Sequence, residues 1–293
     1  MFQKMLVPLD GSVVAEGVLP HVAALAAGLG CRVTLFTAVE PLPPEVAQTL
    51  VRVGVPLDEA VAQARAEAYL TGVGRGLPEG VQWEVKAVTG GVPDALLRFA
   101  RRGGFDLIAI ATHGPSGVAR WVQGSVTDAV VRRATVPVLV VRPGEGEAPA
   151  TVTPARYQRV LVPLDGSATA EVALGPAEEV ARRLRLRVLL LRVVSEVAAL
   201  AWTAEAPRYV STVISELSAE AQAYLDGVAR RVRARGLEVA ARVEEGVAAA
   251  RIAEAARQPG TLVAMATHGR SGLRRLLLGS VADRVVRTAE APV

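Results

Sequence analysis

The sequence predicts an α/β fold: two tandem, doubly wound domains, each on a parallel sheet of five strands in the order 3-2-1-4-5, with helices on both faces. Three observations predict it. The chain has 293 residues, the length of two ordinary domains. Its motifs recur at one fixed offset, the mark of a duplicated unit. Within each copy, short apolar runs alternate with segments of helical period.

The duplication is plain. Met5-Leu-Val-Pro-Leu-Asp-Gly-Ser12 returns as Val160-Leu-Val-Pro-Leu-Asp-Gly-Ser167, Ala111-Thr-His-Gly114 as Ala266-Thr-His-Gly269, and Gly124-Ser-Val126 as Gly279-Ser-Val281. The offset is 155 residues each time, so loop lengths match overall. Residues 1–142 and 158–293 are the expected domains. The intervening 143–157, rich in Gly, Pro, Ala and Thr, is the expected linker.

In the first copy, Met5–Leu9 is an apolar run that reads as a buried strand. Ser12–Leu29 has helical spacing, Arg32–Val39 is the second strand, and Leu57–Leu77 a long helix. Gln82–Val88 alternates as a strand and Pro93–Arg102 is helical. Leu107–Thr112 is a strand, Ser125–Ala134 a helix and Val136–Val141 the last strand. Copy two stops at Ala291-Pro-Val293, which leaves its sheet without most of the last strand. In such sheets ligands sit beyond the carboxyl ends of the strands, where strand order reverses. Asp10 follows strand 1 and Ala111–Gly114 follows strand 4, so the repeated motifs converge there.

Composition narrows the function. Basic residues number 33 against 29 acidic ones, with only Lys4 and Lys86 as lysines. They read as scattered over helical faces, and aromatics are 4% of the chain, so no nucleic-acid partner is expected. A lone cysteine, Cys31, excludes an internal disulfide and reads as a small buried hydrophobe. No apolar run is long enough for a membrane span, and the first strand begins within a few residues of Met1 with no room for a leader. A cytoplasmic protein without a membrane partner is expected. A P-loop pattern is absent, and no Gly-x-Gly-x-x-Gly follows strand 1.

Two devices remain. Gly124-Ser125 and Gly279-Ser280 open a helix, whose unpaired N–H groups favour an anion; alternatively, the pair only ends a loop and caps the helix. Asp10 and Asp165 stand where a carboxylate can accept from ribose hydroxyls, or can hold an Asx-turn. His113 and His268 lack the partners that catalysis or a metal requires, and no metal site is expected. His21 reads as a helix filler.

These motifs together resemble the universal stress protein family in its tandem form, over both copies nearly end to end. ATP-binding members carry Gly-x-x-Gly, nine residues, then Gly-Ser or Gly-Thr. Here Ala111 and Ala266 replace the first glycine. The resemblance implies that Pro8, Asp10 and Val39 touch adenine and ribose. Ala111, Thr112, His113, Gly114 and Gly117, then Gly124, Ser125, Val126 and Thr127, wrap ribose and phosphates. The second copy offers Pro163, Asp165 and Val194, then Ala266, Thr267, His268, Gly269 and Gly272, with Gly279, Ser280, Val281 and Ala282. It also implies ATP, with or without Mg²⁺, and an intramolecular pseudo-dimer that can dimerise further. The expectation is a non-enzymatic, ATP-binding regulator; a slow Mg²⁺-dependent ATPase and a scaffold without nucleotide are the alternatives.

Overall fold

The protein is described by a computed structural model covering residues 2–53, 58–112, 126–143, 151–195, 207–267 and 279–293. The chain divides into two compact units, Phe2–Ala155 and Arg156–Val293. Residues 151–155 of the expected linker are bonded into the first unit: the Val152 N–H donates to the Gly76 carbonyl and the Ala155 N–H to that of Pro20, at 3.0 and 2.8 Å.

The first unit runs β1 (Lys4–Pro8), α1 (Val13–Glu16), α2 (Leu19–Leu29), β2 (Arg32–Val39), α3 (Pro44–Arg52), α4 (Glu59–Arg75), β3 (Trp83–Thr89), α5 (Val92–Arg102), β4 (Leu107–Ala111), α6 (Val126–Arg133) and β5 (Val138–Val141). The sheet is parallel, in the order β3-β2-β1-β4-β5. That is the expected topology, and the strands fall where the apolar runs are. Central strand β1 buries Met5, Leu6 and Val7 completely, as a strand covered on both faces must. On one face Phe36 of β2 meets Phe99 of α5, and Phe99 meets Phe105, with centroids 5.2 and 5.4 Å apart.

The helix expected over Ser12–Leu29 is broken in two. Pro20 sits in the first turn of α2, where its missing N–H costs nothing; inside one long helix its ring would collide with the carbonyl of Glu16. A further helix, α3, occupies a segment for which the sequence suggested no element.

The second unit repeats the plan with β6 (Arg159–Pro163), α7 (Ala168–Glu171), α8 (Leu174–Leu184), β7 (Arg187–Val194), α9 (Pro207–Arg233), β8 (Val239–Glu245), α10 (Ala248–Ala256), β9 (Thr261–Val263) and α11 (Ser280–Thr288). Its four strands are parallel in the order β8-β7-β6-β9. Leu161 and Leu191 point to the face covered by α10 and α11, packing with Ile252, Val263 and Val285. Strand alternation turns Val160, Val162 and Leu190, all fully buried, to the opposite face. The Val263 N–H donates to the Pro292 carbonyl at 2.9 Å, as the Ile108 N–H does to that of Pro137 at 3.0 Å. The final residues therefore begin the fifth strand in register, without completing it.

Helix α2 ends on Gly30 in the left-handed region at φ 67°. Its counterpart after α8 is Arg185, φ 58°, the one non-glycine at positive φ among the described residues. A side chain costs about 1–2 kcal/mol there. Arg185→Gly is expected to raise the melting temperature of the second unit by about 2–4 °C, and Arg185→Ala to give no comparable gain. Calorimetric melting of the two variants checks this.

Candidate functional site

Strand 1 of each copy ends in a turn built from its own side chains. The Ser12 N–H donates to Asp10 Oδ1 at 2.9 Å. In the second copy the Ser167 N–H and hydroxyl both donate to Asp165 Oδ1, at 2.9 and 2.6 Å. Between them Gly11 and Gly166 hold φ of 84° and 89°, which favours glycine. Ser12 and Ser167 then cap α1 and α7 by accepting from the Ala15 and Ala170 N–H groups at 3.1 Å. Asp10 and Asp165 thus serve the turn through Oδ1.

Beneath the second corner lies a cavity of about 290 Å³, at the small end of the range for ligand pockets. Its back is apolar: Leu164, Leu191, Val193, Ile252 and Met265. Its rim brings together Pro163, Asp165, Ala266, Thr267, Gly279, Ser280, Val281 and Ala282. Eight of the residues singled out in the second copy therefore border one hollow. Val194 does not; its neighbour Val193 does, because adjacent residues of a strand face opposite ways.

The polar end of the cavity is the start of α11. Gly279 caps it in extended conformation, φ −60° and ψ 143°, with no side-chain cap, and its N–H donates to the Thr267 carbonyl at 2.7 Å. The Asp283 N–H makes the first intrahelical bond, to the Gly279 carbonyl at 2.8 Å. The amides of Ser280, Val281 and Ala282 precede that ladder and present an electropositive helix end to the hollow. Ala266 has no positive φ, since Arg185 alone among described non-glycines does; its methyl group is unstrained, and so is that of Ala111.

The first copy supplies matching parts. Pro8 ends β1 and Val39 ends β2. Ala111 ends β4, where its carbonyl accepts from the Thr127 hydroxyl at 3.1 Å. The Thr112 N–H donates to the Val141 carbonyl at 2.8 Å, and Val126 opens α6. The position of Leu191 is taken by Phe36. His113, Gly114, Gly117, Gly124 and Ser125, with His268, Gly269 and Gly272, lie outside the described residues.

One supporting pair lies outside the repeated motifs. The Tyr69 hydroxyl donates to Glu16 at 2.8 Å, and the Gly11 N–H also bonds to it. Tyr224 donates to Glu171 at the same distance. Burial first, then the partner glutamate, raises both phenols. Glu16 and Tyr69 recur at the 155-residue offset, which was the signal that could have revealed them. Cys31 is buried, with its thiol pushed up to about 11 by burial and then by Asp106. Among the described residues no three His, Cys, Asp or Glu gather as metal ligands, and no helix is long and apolar enough to cross a membrane.

Known proteins agree with this architecture. A universal stress protein of Methanocaldococcus jannaschii is 32% identical over 139 residues, 47% of this chain and 80% of the relative. One from Mycobacterium tuberculosis is 27% identical over 193 residues, 64% of this chain and 60% of the relative; the chain thus spans less than two thirds of that protein. The crystal structure of a universal stress protein from Archaeoglobus fulgidus has the same fold over 99% of this chain and 94% of its own, with TM-score 0.64 at 19% identity. The profile of the universal stress protein family matches residues 1–142 and again 156–293, and the chain belongs to that family, as two copies in tandem.

Proposed function

We propose that this protein is a cytoplasmic regulator that binds an adenine nucleotide, ATP, and does not turn it over efficiently. The observation that carries the reading is the hollow of the second unit, apolar at the back and closed at one end by the uncapped start of α11. An apolar wall suits a purine and a carboxylate at the rim suits ribose hydroxyls. Three amides that precede the intrahelical ladder suit phosphates. The unstrained Ala266 supports occupancy of the same place.

Titration calorimetry of the full chain with ATP, with and without Mg²⁺, tests the reading. Binding heat is expected, together with a rise in melting temperature that grows with nucleotide concentration, as ligand linkage requires. Phosphate release should stay at the background of a heat-inactivated sample. Absence of both heat and thermal shift at millimolar ATP overturns the proposal. Sustained turnover by the purified chain would replace it with the ATPase alternative.

A further inference from the structure

The second unit carries two copies of one basic pattern, Arg182-Arg-Leu-Arg-Leu-Arg187 and Arg230-Arg-Val-Arg-Ala-Arg235. The first runs off the end of α8 into β7, and the second off the end of α9 toward β8. Strands β7 and β8 are neighbours, paired from Val188 and Val239 onward. Both patterns therefore lie side by side where the strands begin, at the end of the sheet opposite the nucleotide hollow. Glu178 of α8 ties them together, accepting from Arg235 with both carboxylate oxygens at 2.8 and 2.7 Å. All eight arginines are exposed.

We infer that this pole is a docking surface for the phosphate backbone of a nucleic-acid duplex. Arg231 turns back to Glu171 of α7, on the side of the hollow; the other seven guanidiniums are offset by Glu178, Glu179 and Glu238, which leaves a surplus of four charges, as large as the formal charge of the whole chain, +4. The carboxylates orient the guanidiniums without exhausting them. Arg182 and Arg183 each give one nitrogen to Glu179, and Arg187 and Arg231 give one each to Glu238 and Glu171. Each guanidinium has five N–H donors in a planar fork that matches phosphate, so donors remain.

A favourable interaction with the helix ends accounts for arginines in the last turns of α8 and α9, and not for the rest. The first unit makes the same two junctions with Ala27, Gly28, Gly30 and Arg32, then Arg75, Gly76, Pro78 and Gly80. The fold needs only two of the eight. Arg185 in particular holds a backbone conformation that Gly30 adopts without strain. Neither pattern contains an aromatic side chain, so nothing is offered for stacking unpaired bases. Of their apolar residues Leu186 and Val232 are buried, Leu184 is half-buried and the exposed Ala234 carries only a methyl group, so no large apolar side chain is offered for insertion into lipid. What remains is contact with a regular array of phosphates, independent of base sequence. The reading of the basic residues as scattered is corrected here: in the second unit they gather because two helix–strand junctions converge.

Fluorescence anisotropy of a labelled mixed-sequence DNA duplex, titrated with the full chain at several salt concentrations, tests this. Micromolar binding is expected at about 50 mM KCl, falling with a slope of about −4 in log K against log salt. The variant Arg183→Gln, Arg185→Gly, Arg230→Gln should bind at least about tenfold more weakly, with the slope reduced to about −1. Its melting temperature should be unchanged or higher, which separates lost contact from lost fold. Three results overturn the inference: no binding by the wild type at low salt, equal binding by the variant, or preference for single strands or phosphatidylserine vesicles over the duplex.

Discussion

Gly279→Asp is expected to lower the affinity of the second unit for ATP by about two to three orders of magnitude while leaving it folded. The backbone at Gly279 is extended, φ −60° and ψ 143°, a conformation open to any residue and typical of a helix cap. Aspartate is among the best caps, so α11 should gain stability. The new carboxylate then accepts from the same first-turn amides that a phosphate would use. A negative charge about 4 Å from a phosphate costs about 4 kcal/mol at the screening of a protein surface. Calorimetry reads the outcome directly. If both units bind, the stoichiometry falls by half; if only the second binds, the heat disappears. A variant that titrates like the wild type places the phosphates elsewhere and removes the ground for the proposed function.

The second large effect concerns acid. His21 lies on α2, and burial pulls its imidazole down to about 4 from an ordinary value near 6.5. The unfolded chain therefore takes up a proton before the folded one does. Stability from keeping this ring neutral is fully present above about pH 6.5 and is lost progressively as the pH falls to about 4. The size is at most about 3 kcal/mol. Urea melts at pH 7, 6, 5 and 4 should show the midpoint of the first unit dropping over that window. His21→Leu should flatten the profile between pH 6.5 and 4. A wild type whose midpoint does not move there would show that the ring is solvated.

The sheet was largely legible because buried parallel strands are continuous apolar runs bounded by glycine, proline and aspartate. Arg32–Val39 and Arg187–Val194 needed no tertiary information. The long first helix was misread because Pro20 fits both the interior of an apolar-periodic stretch and the first turn of a new helix, and only the second is sterically allowed. Helix α3 was hidden by the prolines around it. At the site, the repeats placed Asp165, Ala266 and Gly279–Ala282 together because strand ends and switch point follow from topology. The lining by Val193 in place of Val194 depends on pleat parity, which a pattern of four consecutive apolar residues leaves open. The glutamate–tyrosine pairs span 53 residues, beyond any local signal, and only the duplication could have exposed them.

The pairing of the central strands has a consequence for synthesis. Strand β1 meets β2 early, with Met5 opposite Val33, but its other neighbour contributes Leu107. At about 5–20 residues per second, the ribosome needs on the order of ten seconds to deliver that partner, and β1 offers a bare apolar edge meanwhile. The second copy repeats the delay, with Arg159 waiting for Thr261. Its strand Arg159-Val-Leu-Val-Pro163 is nearly the same as Lys4-Met-Leu-Val-Pro8, so each half-built sheet can accept the other copy's fourth strand. Emergence of the first half before the second favours pairing of each strand within its own copy.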